Sequence, residues 1–416
     1  MKHLRKLLDL SDNISSKWRD PLFRNSFFLI VNRIFNASCG MIFWMIAARL
    51  YSISDVGLAT ALISSLGLII LFSRLGLDST VVRFFATYDR NKLFNTYLII
   101  TTSLAFIIGL IYIYLLQYVS PELILLKKPF YSIIFLLLVI FNSIANSTSN
   151  TFLAFRDSKY VLLQNIVLGT RIIFLIPFLF LGSFGLICSW MIAYSATSII
   201  SIIILKKNLE LGLNIDKDFL NKYIRYSLGN YFSSVFFIFP TMVLPLMLLN
   251  LLGNKESAQY YVMFSIASII LIIPDSLSTS LFVEGSHGEP LRKIVIKAGK
   301  TSFLILLPSA FLLYLTSGII LSLFGSDYID ALELLRVFIL SSFFVVIFYI
   351  FIPIQNIRMQ VRSIFLLNFL RMVLLIVLNY ILISRFGLIG VGYAWMATYI
   401  ILSIIVIIIA KKENWI

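Results

Sequence analysis

Apolar runs about 20 residues long recur along the whole chain, separated by short polar clusters. That is the length a helix needs to cross a hydrocarbon layer roughly 30 Å thick. The pattern predicts spans at 26–50, 56–77, 94–118, 130–154, 160–181 and 185–205 and, after a polar stretch, at 227–251, 257–282, 299–323, 331–355, 361–384 and 388–410. Because lipid offers no partner to a free backbone N–H or C=O, each crossing has to close its hydrogen bonds internally, which favours helices. The expected fold class is therefore all-α, a polytopic membrane protein of about twelve transmembrane helices.

Composition removes the soluble alternative. Hydrophobic residues make up 60% of the chain, charged residues 13%, and the mean hydropathy is +0.97, against about 25% charged residues in soluble domains. Cys39 and Cys188 both sit in apolar runs, and His3 and His287 lack metal-ligand spacing, so neither a disulfide framework nor a metal site is expected. Residues 1–25 are basic, with no apolar run of signal-peptide length, and are expected to stay as a cytoplasmic N-terminal segment.

An even number of spans puts both termini on one side. Of the 34 Lys and Arg, 25 then fall on the N-terminal face, Arg74 among them, six on the opposite face, and Arg33, Arg171 and Arg371 inside spans. This bias predicts a multi-pass protein of the cytoplasmic membrane with both termini cytoplasmic. It also accounts for the net charge of +15 without nucleic acid as a partner.

The second half repeats the first. Phe184-Gly185-Leu186-Ile187 returns as Phe386-Gly387-Leu388-Ile389, Asp55-Val56-Gly57 matches Glu256-Ser257-Ala258, and Arg171 and Arg371 stand 200 residues apart. Six spans per copy is even, so the copies enter the membrane in the same direction, related by an axis along its normal. The expected organisation is an N-lobe at 26–205, a cytoplasmic linker at 206–226, a C-lobe at 227–410 and a cytoplasmic tail at 411–416, the lobes forming a V around a central cleft.

Ionisable groups inside spans carry the functional expectation, since an Arg at a span centre costs about 2.5–3.5 kcal/mol on insertion scales. Arg33, Arg171 and Arg371 are the candidates to hold an anion, because guanidinium stays charged and its planar fork matches phosphate oxygens; bridging between helices is the alternative for each. Asn142, Asn146 and Asn150 recur every four residues on one face of the fourth span, with Ser143, Ser147 and Thr151 beside them. Asn230 and Asn368 join them as candidates for a polar cavity, with helix packing again the competing reading. Pro240 and Pro245 would kink the seventh span. Gly299-Lys300-Thr301 resembles the end of a phosphate-binding loop, but Ile294 stands where that motif needs glycine. Short loops on the opposite face leave no room for an external catalytic domain. No enzyme and no cofactor is expected; a coupling ion stays open.

The segments Ala47–Ala86, Leu323–Phe338 and Ser384–Tyr399 resemble, in order and spacing, the polysaccharide-biosynthesis exporters of the multidrug/oligosaccharidyl-lipid/polysaccharide (MOP) superfamily, Wzx-type O-antigen flippases among them. The resemblance implies two six-helix bundles, alternating access, and a polyprenyl-diphosphate-linked oligosaccharide as cargo. Membrane lipids and polysaccharide polymerase machinery would be its partners. Lipid II flippases of the superfamily usually carry two further C-terminal spans beyond the twelve expected here, which makes that cargo a weaker expectation. A drug or cation antiporter of the same superfamily and a non-transporting scaffold are the rival readings. The antiporter would need acidic groups within its helices, whereas Asp and Glu here cluster in loops and at helix ends.

Overall fold

The computed structural model describes residues 21–286, 291–358 and 360–413. Most of the expected N-terminal segment, together with His287 and Glu289, lies outside the described residues, as does the side chain of Asn230.

The first half comprises α1 (Pro21–Leu50), α2 (Ile53–Ser73), the short α3 (Leu77–Phe84), α4 (Arg90–Val119), α5 (Pro129–Ala154), α6 (Ser158–Gly169) and α7 (Ser183–Leu205). Helix α6 is continued by two 3-10 turns, Thr170–Leu175 and Leu179–Leu181. The second half comprises α8 (Lys217–Leu251), α9 (Asn254–Ser286), α10 (Leu291–Phe324), the four-residue α11 (Ser326–Ile329), α12 (Leu332–Ile357), α13 (Val361–Phe386) and α14 (Ile389–Lys412). Among the described residues ten helices are long and apolar enough to cross a membrane. Helix α1 and the broken segment 158–181 complete the expected twelve crossings, arranged as two six-helix lobes. Leu304, Phe311, Leu312, Leu315 and Ile319 of α10 are largely exposed, an outward apolar surface that suits lipid rather than water.

Local chemistry sets the helix ends. Ser52, Asp89 and Asp216 cap α2, α4 and α8 by accepting from the backbone N–H of Asp55, Lys92, and Asp218 with Phe219. Gly182 and Gly387 turn the chain with φ of 56° and 62°, a left-handed conformation costly for other residues.

These turns correct the register of the repeat. The N–H of Gly185 donates to the carbonyl of Gly182 at 2.8 Å, and that of Gly390 to Gly387 at 3.0 Å. A Cβ on Gly185 would fall 2.1 Å from the Phe178 carbonyl oxygen, and one on Gly390 2.2 Å from that of Leu382. Gly185 therefore corresponds to Gly390, three positions beyond the Gly387 with which the Phe-Gly-Leu-Ile match pairs it. At the other end of these spans, Asp157 donates to the Phe152 carbonyl as Gln360 does to that of Gln355. The offsets are 205 and 203 residues, so Arg171 and Arg371, at 200, are out of step by about a helical turn.

The segment between lobes is tied to the N-lobe. Asn95 donates to the Glu210 carbonyl at 3.0 Å, Asp216 N–H to the Thr96 hydroxyl at 2.8 Å, and the Tyr88 hydroxyl to the Asp216 carboxylate at 2.9 Å. Within the span expected as linker, helix α8 already begins at Lys217. Its first turns bury Phe219 beside Leu77, Val81, Phe85 and Leu93 of the N-lobe, and Tyr223 lies 4.2 Å from Phe84.

Candidate functional site: a cationic cleft between the lobes

A cleft of about 830 Å³ separates the lobes. Helices α1, α2, α5 and α7 and the 3-10 turn at Thr170–Leu175 form one wall; α8 and α9 form the other. On the face opposite the N-terminus the lobes touch. Asn254 donates to Ser54 at 2.7 Å, Thr60 and Ser257 hydroxyls lie 3.4 Å apart, and Arg49 Nε donates to the Leu323 carbonyl at 2.9 Å. Arg33 and Asp275 face each other at 3.4 Å one turn beyond the lining residues Asn36 and Ile272, at the mouth on the N-terminal face, with side chains 66% and 49% exposed. Such exposure makes the pair a weak clasp, worth about 0–1 kcal/mol.

Arg171 lines the cleft where α6 breaks. Its guanidinium lies 4.5 Å from the ring centre of Trp190 and 5.1 Å from that of Phe43. Rings offer a desolvated cation their negative faces, but among the described residues no carboxylate pairs with it, and its buried Nε has no hydrogen-bond partner. Nearer the mouth, Arg74 donates from Nη2 to Asn146 Oδ1 at 2.6 Å and meets Asp78 at 3.9 Å, its Nε likewise unpartnered. Asn146 in turn donates to Asn142 Oδ1 at 2.6 Å, and Tyr194 lines the same cleft. The result is a polar rail along the N-lobe wall from Arg74 through Asn146, Asn142 and Tyr194 to Arg171. Trp190 Nε1 and the Tyr260 hydroxyl add two more buried polar atoms without partners beside the cleft. Buried polar groups are normally satisfied; among the described residues these atoms have no protein partner, which leaves them open to acceptors within the cleft.

The remaining expected residues separate. Asn150 donates to the Tyr97 hydroxyl at 3.0 Å and Asn368 to Ser233 at 3.2 Å, both between helices and outside the cleft lining. Ser143 and Ser147 meet Thr102 and Thr101 of α4, so one stripe of α5 packs while Asn142 and Asn146 face the cleft. Arg371 does not line the cleft. It is 1% exposed, donating from Nε to the Tyr399 hydroxyl and from Nη1 to the Phe237 carbonyl, each at 2.8 Å, with Phe237, Phe348, Trp395 and Tyr399 around it.

Sequence reasoning missed Arg74, which reads as one more base of the N-terminal face. Its position inside the span expected at 56–77 was the available signal. The aromatic wall of Trp44, Trp190, Tyr194 and Tyr261 was missed too, since aromatic residues are common throughout the spans.

Three solved structures show what the chain is similar to. A MATE protein in its bent conformation aligns with a TM-score of 0.61 at 15% identity, covering 95% of both chains. An outward-facing multidrug-resistance MATE family transporter of the MOP superfamily gives 0.63 at 14%, covering 95% of this chain and 96% of its own. A MOP superfamily transporter from Pyrococcus furiosus, described as having a binding pocket of reverse polarity, also gives 0.63 at 14%, with coverage of 95% and 96%. No curated protein sequence matches. A family profile described as "Polysaccharide biosynthesis protein" matches residues 22–283, and with the fold of a MOP superfamily membrane transporter already in place, the chain belongs to that polysaccharide biosynthesis protein family.

Proposed function

We propose that the protein moves a polyprenyl-diphosphate-linked oligosaccharide across the cytoplasmic membrane by alternating access of its two lobes, supplying surface polysaccharide assembly. One observation carries the reading: Arg74 and Arg171 line the cleft, and no Asp or Glu does among the described lining residues. A cationic, donor-rich wall favours phosphate oxygens, which accept paired N–H donors from a guanidinium. Asn142, Asn146 and the tyrosines present amides and hydroxyls suited to sugar hydroxyls. Ile34 of α1 is exposed, and the exposed Ile269 and Ile272 of α9 line the cleft, apolar surface along which the prenyl chain would run while its head enters the cleft.

The test is complementation of a flippase-null strain, read as surface polysaccharide restored and lipid-linked oligosaccharide cleared from the inner leaflet. Export by the wild-type chain and its loss in Arg171→Gln, with the variant folded and inserted, are the expected results; full export by Arg171→Gln and Arg74→Gln alike refutes the diphosphate role. Arg171→Lys keeps the charge, loses the fork, and should export weakly. A cation or drug antiporter is the second reading, favoured by the fold shared with a multidrug-resistance transporter. It would have to work through Asp275 at the mouth, so drug efflux abolished by Asp275→Asn with no glycan export would replace the first reading.

A further inference from the structure

We propose that the C-lobe binds an anionic phospholipid of the leaflet on the N-terminal face, one acyl chain lying in a groove between α10, α12 and α14 and its phosphate meeting Arg292. The groove holds about 210 Å³ and is lined only by apolar residues and a glycine, among them Val295 and Gly299 of α10, Phe351 and Ile354 of α12, and Val406 and Ala410 of α14. It shares no lining residue with the cleft, so the cargo site and this groove are separate.

Helical register gives the groove a charged end. Arg292 precedes Val295, Ile296 and Gly299 by three, four and seven positions, which puts it on the same face of α10, one turn closer to the N-terminal face. Arg358 follows Phe351 and Ile354 by seven and four positions on α12 and is bonded to Glu413, just past the end of α14. Lys411 and Lys412 are exposed in the last turn of α14. Basic residues thus stand at the N-terminal-face ends of all three helices that line the groove, with Glu413 bonded to one of them, Arg358. Beyond them lies the apolar slot of about 210 Å³. A zwitterionic lipid offers such an end no net charge, and a free phosphate ion leaves the slot unused; an anionic phospholipid matches both parts.

Gly299 makes the slot testable. A Cβ there would meet nothing closer than the Ile350 Cδ1, at 3.9 Å, so a larger side chain enters the groove rather than the backbone of a neighbour. The experiment takes the full chain, purified in detergent and stripped of lipid, and titrates it with phosphatidylglycerol, phosphatidylcholine of the same chains, or glycerol phosphate. Bound lipid is counted by native mass spectrometry and protection by the rise in Tm. Phosphatidylglycerol is expected to bind and protect while the other two do not. Arg292→Gln, at an exposed position, should weaken it about tenfold, equivalent to about 1.4 kcal/mol. Gly299→Leu should abolish the protection while leaving the lipid-free Tm unchanged. Equal protection by phosphatidylcholine, equal protection by glycerol phosphate, or wild-type affinity in both variants would overturn the proposal.

Discussion

Asn254 donates to the Ser54 hydroxyl at 2.7 Å, joining the first turns of α9 and α2, helices that begin alike in the two halves. Each starts with a backbone N–H returning to the carbonyl four residues earlier, Val56 to Ser52 and Ser257 to Gly253. Their contact closes the cleft at the face opposite the N-terminus, and it depends on a missing side chain. A Cβ on Gly57 would sit 1.9 Å from the Asn254 carbonyl oxygen.

Gly57→Val should therefore force the lobes apart at this face. With Cys39 and Cys188 replaced by Ser, a Ser54→Cys/Asn254→Cys pair is expected to cross-link readily in the otherwise unchanged protein. Addition of Gly57→Val should cut the cross-linking yield severely. Unchanged yield would mean that α2 and α9 accommodate the methyl groups without separating.

Arg371 should act in stability and Arg171 in binding. Tyr399→Phe leaves a buried Arg371 N–H without its acceptor, a loss of about 1–3 kcal/mol, so the Tm should fall while cargo binding is preserved. Arg171→Gln gives up no hydrogen bond of its Nε, and should abolish binding with little change in Tm. Calorimetry paired with cargo binding on the same preparations separates the two roles.

Gly185 and Gly390 offer a test of the repeat register. Alanine at either must displace a carbonyl now within about van der Waals contact of the glycine, and overpacking of this kind costs about 1–3 kcal/mol. Similar losses of Tm for Gly185→Ala and Gly390→Ala, and a smaller loss for Gly387→Ala, whose Cβ would meet nothing within 4 Å but whose φ is positive, are the expected pattern.

Acid should loosen the root of α8. Asp216 accepts from the Phe219 and Asp218 N–H groups and from Tyr88, and these bonds, the Phe219 N–H foremost, hold its carboxyl below the ordinary carboxylate value. Because the folded value lies below the unfolded one, about 3.9, its stabilisation is present above about pH 4 and is lost as pH falls through the lower folded value. Asp216→Ala should cost about 1 kcal/mol near neutrality. The difference from wild type should shrink below about pH 4, which a pH series of thermal melts would reveal.

Much of the architecture could be read from the chain because lipid enforces it: apolar length fixes the crossings. Arg171 was legible as a charge within an apolar run, and Asn142 and Asn146 as a polar helical stripe. The distinction between Arg171 and Arg371 was not, since both give the same local signal. It depends on a register shift of about one turn and on whether a tyrosine from the next helix reaches the guanidinium, both tertiary facts. Arg74 escaped notice because a base at a helix end that leans into a cavity and one that leans toward water have the same sequence. The Phe-Gly-Leu-Ile match misaligned the repeat because side-chain identity there is less constrained than the close approach of glycine to a carbonyl.

Helix α8 is rooted in one lobe through Phe219 and Tyr223, and farther along it touches the other, where Phe236 lies 5.1 Å from Phe365 and Phe237 offers its carbonyl to Arg371. With the preceding segment stitched down at Asn95, Thr96 and Tyr88, no slack loop is left to absorb a rotation between lobes. Any rotation between the lobes, as proposed above, would have to pass into the curvature of α8, where Pro240 and Pro245 remove two backbone donors. In such a motion the helix would act as a leaf spring, and its preferred curvature, set by those two residues, would bias the unloaded protein toward one state.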